Sequence, residues 1–161
     1  MRFAICNELF QDWPWERALD LTRECGYTGW EIAPFTLGEQ PVQLSADRRS
    51  QLSQQVSQFG IDVVGLHWLL AKTEGYHLTT DDAQVRSRTS QYLGQLATLC
   101  RDLGGSIMVL GSPVQRNFPS EMTHAQAADN ARSVLEQALP ELEKQQVTLA
   151  LEPLGPGEGN F

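Results

Sequence analysis

Apolar and polar positions along the chain alternate between two periods. Residues 2–6 (Arg2-Phe3-Ala4-Ile5-Cys6) are a short apolar run that reads as a strand. A helix follows from Pro14, a residue suited to the first helical position because its φ is already helical and its missing N–H would be unpaired there anyway. Trp15, Ala18, Leu19, Thr22 and Cys25 recur at helical spacing, and Gly26 supplies the left-handed stop. The cycle repeats: Trp30 to Pro34 reads as a strand, Ser45 caps a helix carrying Leu52, Val56 and Phe59, and Gly60 ends it before a strand over Ile61 to His67. A third helix spans about Asp82 to Leu103, with Val85, Tyr92, Leu93, Leu96, Cys100 and Leu103 on one face, followed by Gly104-Gly105 and a strand from Ser106 to Leu110. Thr123-x-x-Gln126 is a capping box that opens a fourth helix with Ala128, Ala131, Val134, Leu135, Ala138 and Leu142 inward. Pro140 is expected to kink or end that helix early, and Val147 to Glu152 is a fifth strand.

Strands alternating with helices of this length predict parallel pairing with right-handed crossovers, in a doubly wound sheet or a (β/α)8 barrel. Strand starts near residues 2, 29, 61, 106 and 147 give a repeat of about 36 residues, so eight repeats would need about 290, in line with a barrel or slightly above. On the barrel reading, residues 1–161 are a single domain made of about five strands and four helices, a partial barrel whose first and fifth strands have unpaired edges.

Composition narrows the class. Of 161 residues, 41% are hydrophobic and 20% charged, which excludes disordered and fibrous chains. The net charge of −8 argues against a protein built to grip nucleic-acid phosphates. No apolar run approaches the roughly 18 to 20 residues of a bilayer span, and the first residues lack a basic region followed by a long apolar stretch. A soluble, cytoplasmic protein without membrane contact is therefore expected. Cys6, Cys25 and Cys100 are an odd count at no metal-like spacing and read as reduced thiols.

Strand parity then brings candidate chemistry into view. In Val147–Glu152 the large apolar side chains share one face, while Thr148, Ala150 and Glu152 share the other. Strand three repeats the scheme, with Val64 and Leu66 toward the helices and Val63, Gly65 and His67 opposite; in strand two, Trp30 and Ile32 flank Glu31. Glu31, His67 and Glu152 thus point from one side of the sheet, His67 and Glu152 from strand carboxyl ends, where barrel enzymes keep their chemistry. A strand-end histidine is often only hydrogen-bonded structure, but an unpaired inward carboxylate is costly and calls for a partner. A divalent cation such as Zn²⁺, Mn²⁺ or Mg²⁺ suits these donors, with Glu152 the better ligand and His67 behind it or facing substrate. Spacing alone leaves metal binding and a purely structural pairing both open.

The loops add further candidates. Trp13, Trp15, Trp68 and Phe118 lie in or beside loops after strands, where aromatic faces suit a sugar ring, although Trp15 fits core packing as well. Arg116 can grip a phosphate or hydroxyl or simply sit in solvent. Gly155-Pro-Gly-Glu-Gly159 lacks the helix that a phosphate loop needs. His77 and His124 read as surface residues, and Asp81-Asp82 as charges at a helix entry.

Five segments together carry a resemblance: Asn7-Glu8 after strand one, GYTGWEIAP at 26–34, VVGLHWLL at 63–70, LGGSIMVLGSPVQR at 103–116 and LALEPLGPGEGNF at 149–161. In order along the chain they are similar to the sugar phosphate isomerase/epimerase family of the xylose isomerase-like TIM barrels, the Leu-Glu-Pro-Leu element being the most specific. The resemblance implies that these residues are the amino-terminal portion of such a barrel. It further implies a divalent metal (Mn, Mg, Zn or Co) held by a carboxylate at the end of strand five, which Glu152 matches, with further ligands on later strands. Glu152 would also be one of two proton-transfer carboxylates. Glu158 falls where a second, substrate-binding glutamate stands, and His67 matches a histidine that lines the substrate site in some members and binds metal in the related abasic-site endonucleases. Glu31, Trp68 and Arg116, on the reading of strand and loop positions above, are further candidate substrate contacts. In the related abasic-site endonucleases a histidine ligand follows strand four; Leu110-Gly111-Ser112-Pro113 stands there instead, against a nuclease.

The implied reaction moves a proton at the carbon next to a carbonyl of a sugar or sugar phosphate through an enediolate, which needs a base, an acid and stabilisation of the developing charge. Two alternatives stand beside it. One is a non-catalytic half-barrel that associates with a second copy through its open edges; the other is a related metal-dependent dehydratase or lyase.

Overall fold

The computed structural model describes residues 1–161 and contains five strands and four longer helices in strict alternation. Strand β1 is Ala4–Cys6, β2 Gly29–Ile32, β3 Asp62–His67, β4 Ile107–Leu110 and β5 Thr148–Leu151; the helices are α1 Trp15–Glu24, α2 Ala46–Gln58, α3 Ala83–Asp102 and α4 His124–Gln145. All neighbouring strands pair parallel, in the order β1-β2-β3-β4-β5, so every strand delivers its carboxyl end to the same edge of the sheet. β1 and β5 are the two unpaired edges. The architecture is a partial α/β barrel.

The elements form where local chemistry supports them. Pro14 stands one place before α1 rather than inside it: its carbonyl accepts from Ala18 N–H, the first helical bond. Ser45 Oγ accepts from Arg48 N–H at the start of α2, and Thr123 and Gln126 close the capping box of α4 reciprocally. Gly26 and Gly60 end the first two helices with φ of +83° and +71°, a conformation in which a Cβ would be strained. The apolar stripes of all four helices meet the helix side of the sheet, where Trp30, Ile32, Leu66, Met108 and Leu110 are fully buried. On α4 the buried stripe is Ala127, Ala131, Val134, Ala138 and Leu142, with Ala128 only partly covered.

Two expectations change. α4 does not stop at Pro140 but runs to Gln145, since Ala138 and Leu142 are buried on either side of the proline and their packing outweighs one lost backbone bond. In β3 the facing of Val63 and Val64 is reversed. Trp30 pairs with Val63 but Glu31 pairs with Gly65, a bulge that places two residues of β3 against one of β2. Val63 is therefore buried in the core, while Val64 leans over Gly29 beside Ala4. Beyond the bulge the alternation resumes with Leu66 toward the helices and His67 opposite.

Candidate functional site

Side chains at the carboxyl ends of four strands converge on one imidazole. His67, the last residue of β3, has Nδ1 3.3 Å from Oε2 of Glu31 on β2 and Nε2 3.4 Å from Oε2 of Glu152, the residue after β5. Cys6, the last residue of β1, completes the group: its sulfur, a carboxylate oxygen of Glu31 and a ring nitrogen of His67 all lie within 4.8 Å of one another. Hydrogen bonding to Cys6, and next to Glu31, pushes the His67 pKa up to about 10 against the opposing effect of burial. The imidazole thus stands between two carboxylates, with Nε2 hydrogen-bonded to Glu152 and Nδ1 facing Glu31.

Small residues make room for this convergence. Gly65 pairs with Glu31 on one side and Ile107 on the other, and a Cβ there would fall 1.8 Å from the Ile107 carbonyl oxygen. Gly111, just beyond β4, leaves the space filled by the Glu152 carboxylate, since a Cβ at that position would meet Oε2 at 2.2 Å. Asn7 pins the end of β1 against the end of β2: its side-chain oxygen accepts from Ala33 N–H at 2.8 Å and its amide donates to Thr36 Oγ1 at 2.8 Å.

The loops after β3 and β4 rim the site. Trp68 follows His67 with φ +57° and its ring centroid 6.1 Å from the imidazole; Ser112 has φ +45° and accepts from Leu70 N–H at 3.1 Å, joining the two loops. Left-handed non-glycine residues of this kind store backbone strain, which gathers at binding and catalytic sites. Arg116 is buried, and Nη1 donates to the carbonyls of Leu110 (3.2 Å), Gly111 (3.4 Å) and Glu152 (2.9 Å). It thereby ties the main chain at Glu152 to the end of β4. Burial lowers its pKa, with the nearby Glu152 opposing. Glu158 is exposed, and its Oε2 accepts from Gly155 N–H at 2.8 Å, closing the turn that contains it. The tail beyond it is held to the β4–α4 loop through Asn160 and Asn117, with the Phe161 ring against Phe118 and His124.

The structure thus brings together Glu31, His67, Glu152 and Trp68, sets Arg116 behind Glu152 and leaves Glu158 engaged within its own loop. Cys6 is the member that sequence reasoning missed. The signal was its place at the end of strand one in line with Glu31, but a run as short as RFAIC has too few positions to set its parity. The donor set is one that a divalent ion accepts: the Glu152 carboxylate is 40% exposed, has a cleared space kept by Gly111 and faces an imidazole.

Parallel strands, crossover helices and a carboxylate–imidazole cluster at the strand carboxyl ends define a protein of the α/β-barrel class, with that cluster at the C-terminal face of the sheet. Residues 19–161 match the xylose isomerase-like TIM barrel family, and the chain belongs to it. No curated protein matches it at a significant level. Among solved structures it is similar to a D-psicose 3-epimerase determined in the presence of D-fructose (TM-score 0.79, 12% identity, 99% of this chain and 55% of that one). It is also similar to the Clostridium cellulolyticum H10 D-psicose 3-epimerase with D-tagatose (0.79, 15%, 99% and 54%) and to an L-ribulose 3-epimerase (0.75, 20%, 96% and 50%). The chain spans about half the length of these structures. At such identities the likeness establishes the fold.

Proposed function

We propose that the chain supplies part of the active site of a metal-dependent isomerase or epimerase acting on a sugar or sugar phosphate. The observation that carries this reading is the Glu31–His67–Glu152 array, with Glu152 in the space that Gly111 keeps clear. Glu152 would be a ligand of a divalent metal (Mn, Mg, Zn or Co), the other ligands standing on strands outside these 161 residues. Such a cation, when bound, stabilises negative charge developing on the sugar oxygens. The remaining work falls to this chain's own side chains. The Glu152 carboxylate takes or returns the proton at the carbon next to the carbonyl. His67 Nε2 hydrogen-bonds the Glu152 carboxylate, holding it in one orientation, and Arg116 fixes the main chain behind it. Trp68 offers an aromatic face beside the imidazole, suited to a sugar ring. The substrates named for the similar epimerase structures support a ketose.

The test adds Mn²⁺ to the protein together with the later strands of its barrel, in the presence of D-fructose, and follows the sugar's NMR lines. Protein-dependent paramagnetic broadening, lost in Glu152→Gln, is the expected result. Broadening no greater than that from free Mn²⁺ overturns the reading. Where turnover occurs, an epimer keeps the substrate's mass while a dehydratase product is lighter by one water.

A second reading, a non-catalytic half-barrel that pairs with its own copy, is favoured by a different observation. The edge strand β5 and helix α4 expose Leu151 and Leu139, beside an apolar groove floored by Leu135, Leu142 and Leu149.

A further inference from the structure

We propose that Cys6, Glu31 and His67 form a zinc site of their own at the carboxyl ends of β1, β2 and β3, separate from a metal on Glu152. Thiolate, imidazole and carboxylate are the three donor types that Zn²⁺ takes, and here each comes from a different strand, with the donor atoms within 4.8 Å of one another. The backbone prepares the arrangement. Cys6 and Glu31 are direct partners in the β1–β2 register, and His67 is the next inward residue of β3 after Gly65, the partner of Glu31. Asn7, one residue beyond Cys6, clamps the two strand ends together.

A second observation comes from the far side of the ring. Zinc-ligating imidazoles characteristically donate their other N–H to a carboxylate, which fixes tautomer and orientation. Glu152 Oε2, 3.4 Å from Nε2, already occupies that place, leaving Nδ1 to face Glu31. The sulfur decides the metal. A soft thiolate selects Zn²⁺ over Mg²⁺ and Mn²⁺, whereas the lone carboxylate of Glu152 does not discriminate in this way. Binding displaces the thiol proton of Cys6 and any proton on Nδ1, both released to solvent. Three protein donors leave a fourth tetrahedral position for water or a substrate oxygen. Cys25 is exposed at the end of α1 and Cys100 is buried beneath β3 and β4, so neither competes for this ion.

The experiment titrates Co²⁺, a spectroscopic stand-in for zinc, into the full chain and reads the thiolate-to-cobalt charge-transfer band in the near ultraviolet. One thiolate-bound, Zn²⁺-displaceable Co²⁺ per chain is expected from the band, which should be abolished in Cys6→Ser and unchanged in Cys25→Ser. Glu31→Gln, which keeps shape and leaves the thiol, should weaken Zn²⁺ binding by at least about tenfold. Glu152→Gln should retain the band at saturating cobalt, with affinity lowered by about tenfold to a hundredfold, as for an orienting partner. Absence of the band in the unaltered protein, its survival in Cys6→Ser, or its complete loss in Glu152→Gln would each overturn the proposal. Ketose-line broadening by Mn²⁺ is read separately, so failure of the zinc site and failure of the sugar reading are distinguishable.

Discussion

Gly111 and Glu152 divide one small volume between them, and a methyl group at residue 111 would take the part that the carboxylate oxygen occupies. Gly111→Ala is expected to cost less than about 1 kcal/mol of stability, because the displaced atom ends a flexible side chain. The same change should weaken Mn²⁺-dependent ketose binding by about tenfold or more, measured as the shift in the line-broadening titration. His77 makes a separate prediction about pH. Burial lowers its pKa below 6.5, opposed by a hydrogen bond to the Asn117 backbone, and its Nδ1 accepts from Thr79 N–H at 3.3 Å. With the folded value below the unfolded one, the unfolded chain binds more protons below 6.5, so stability is full above that value and falls as pH drops toward the folded pKa. Urea midpoints at about pH 7.5 and about pH 5.5 should show a smaller drop for His77→Gln than for the unaltered protein. At this scale Glu31, His67 and Glu152 were legible in the sequence because a charged residue in an apolar strand stands out. Cys6 was not, because a thiol is unremarkable at either face of a strand. The carbonyl clamp of Arg116 was also hidden, since it depends on how the loop after β4 folds back.

The elements themselves follow from two periods of hydrophobicity, and the five strands and four long helices were legible that way to within a few residues, whereas the short 3-10 turns at Asn7–Phe10, Pro34–Leu37, Pro41–Gln43 and Pro113–Gln115 were not. What periodicity missed was relational. The β3 bulge is a property of pairing with β2, so no reading of β3 alone could show that Val63 and Val64 exchange faces. The persistence of α4 through Pro140 likewise rests on what Ala138 and Leu142 pack against. That helix ends on Gln146 with φ +55°, where the first two end on glycine. A left-handed residue with a Cβ costs roughly 1 to 2 kcal/mol, partly offset by the greater freedom that glycine has when unfolded. Gln146→Gly is therefore expected to stabilise the protein by about 0.5 to 1 kcal/mol, visible as a higher denaturation midpoint with an unchanged slope.

For the whole molecule, a parallel sheet with two unpaired edges is the dominant fact, and no helix is long and apolar enough to cross a membrane. The exposed Leu151 on the β5 edge and Leu139 on α4 give the half-barrel reading its measurable consequence. Sedimentation should show a mass that rises with concentration, and Leu151→Lys should shift the association to higher concentration by about tenfold. A monomer at all concentrations would remove that reading. The placement of His67 also carries a geometric message. Strands in a flat sheet lie about 4.8 Å apart, so β2 and β5, three places removed, would be separated by about 14 Å, with their side chains projecting side by side. One imidazole nevertheless touches carboxylates from both, at 3.3 and 3.4 Å. His67 stands between them on β3, and its ring closes the gap together with the two long carboxylate side chains. The ring is in effect a chord drawn across the arc, joining side chains whose strands are not neighbours.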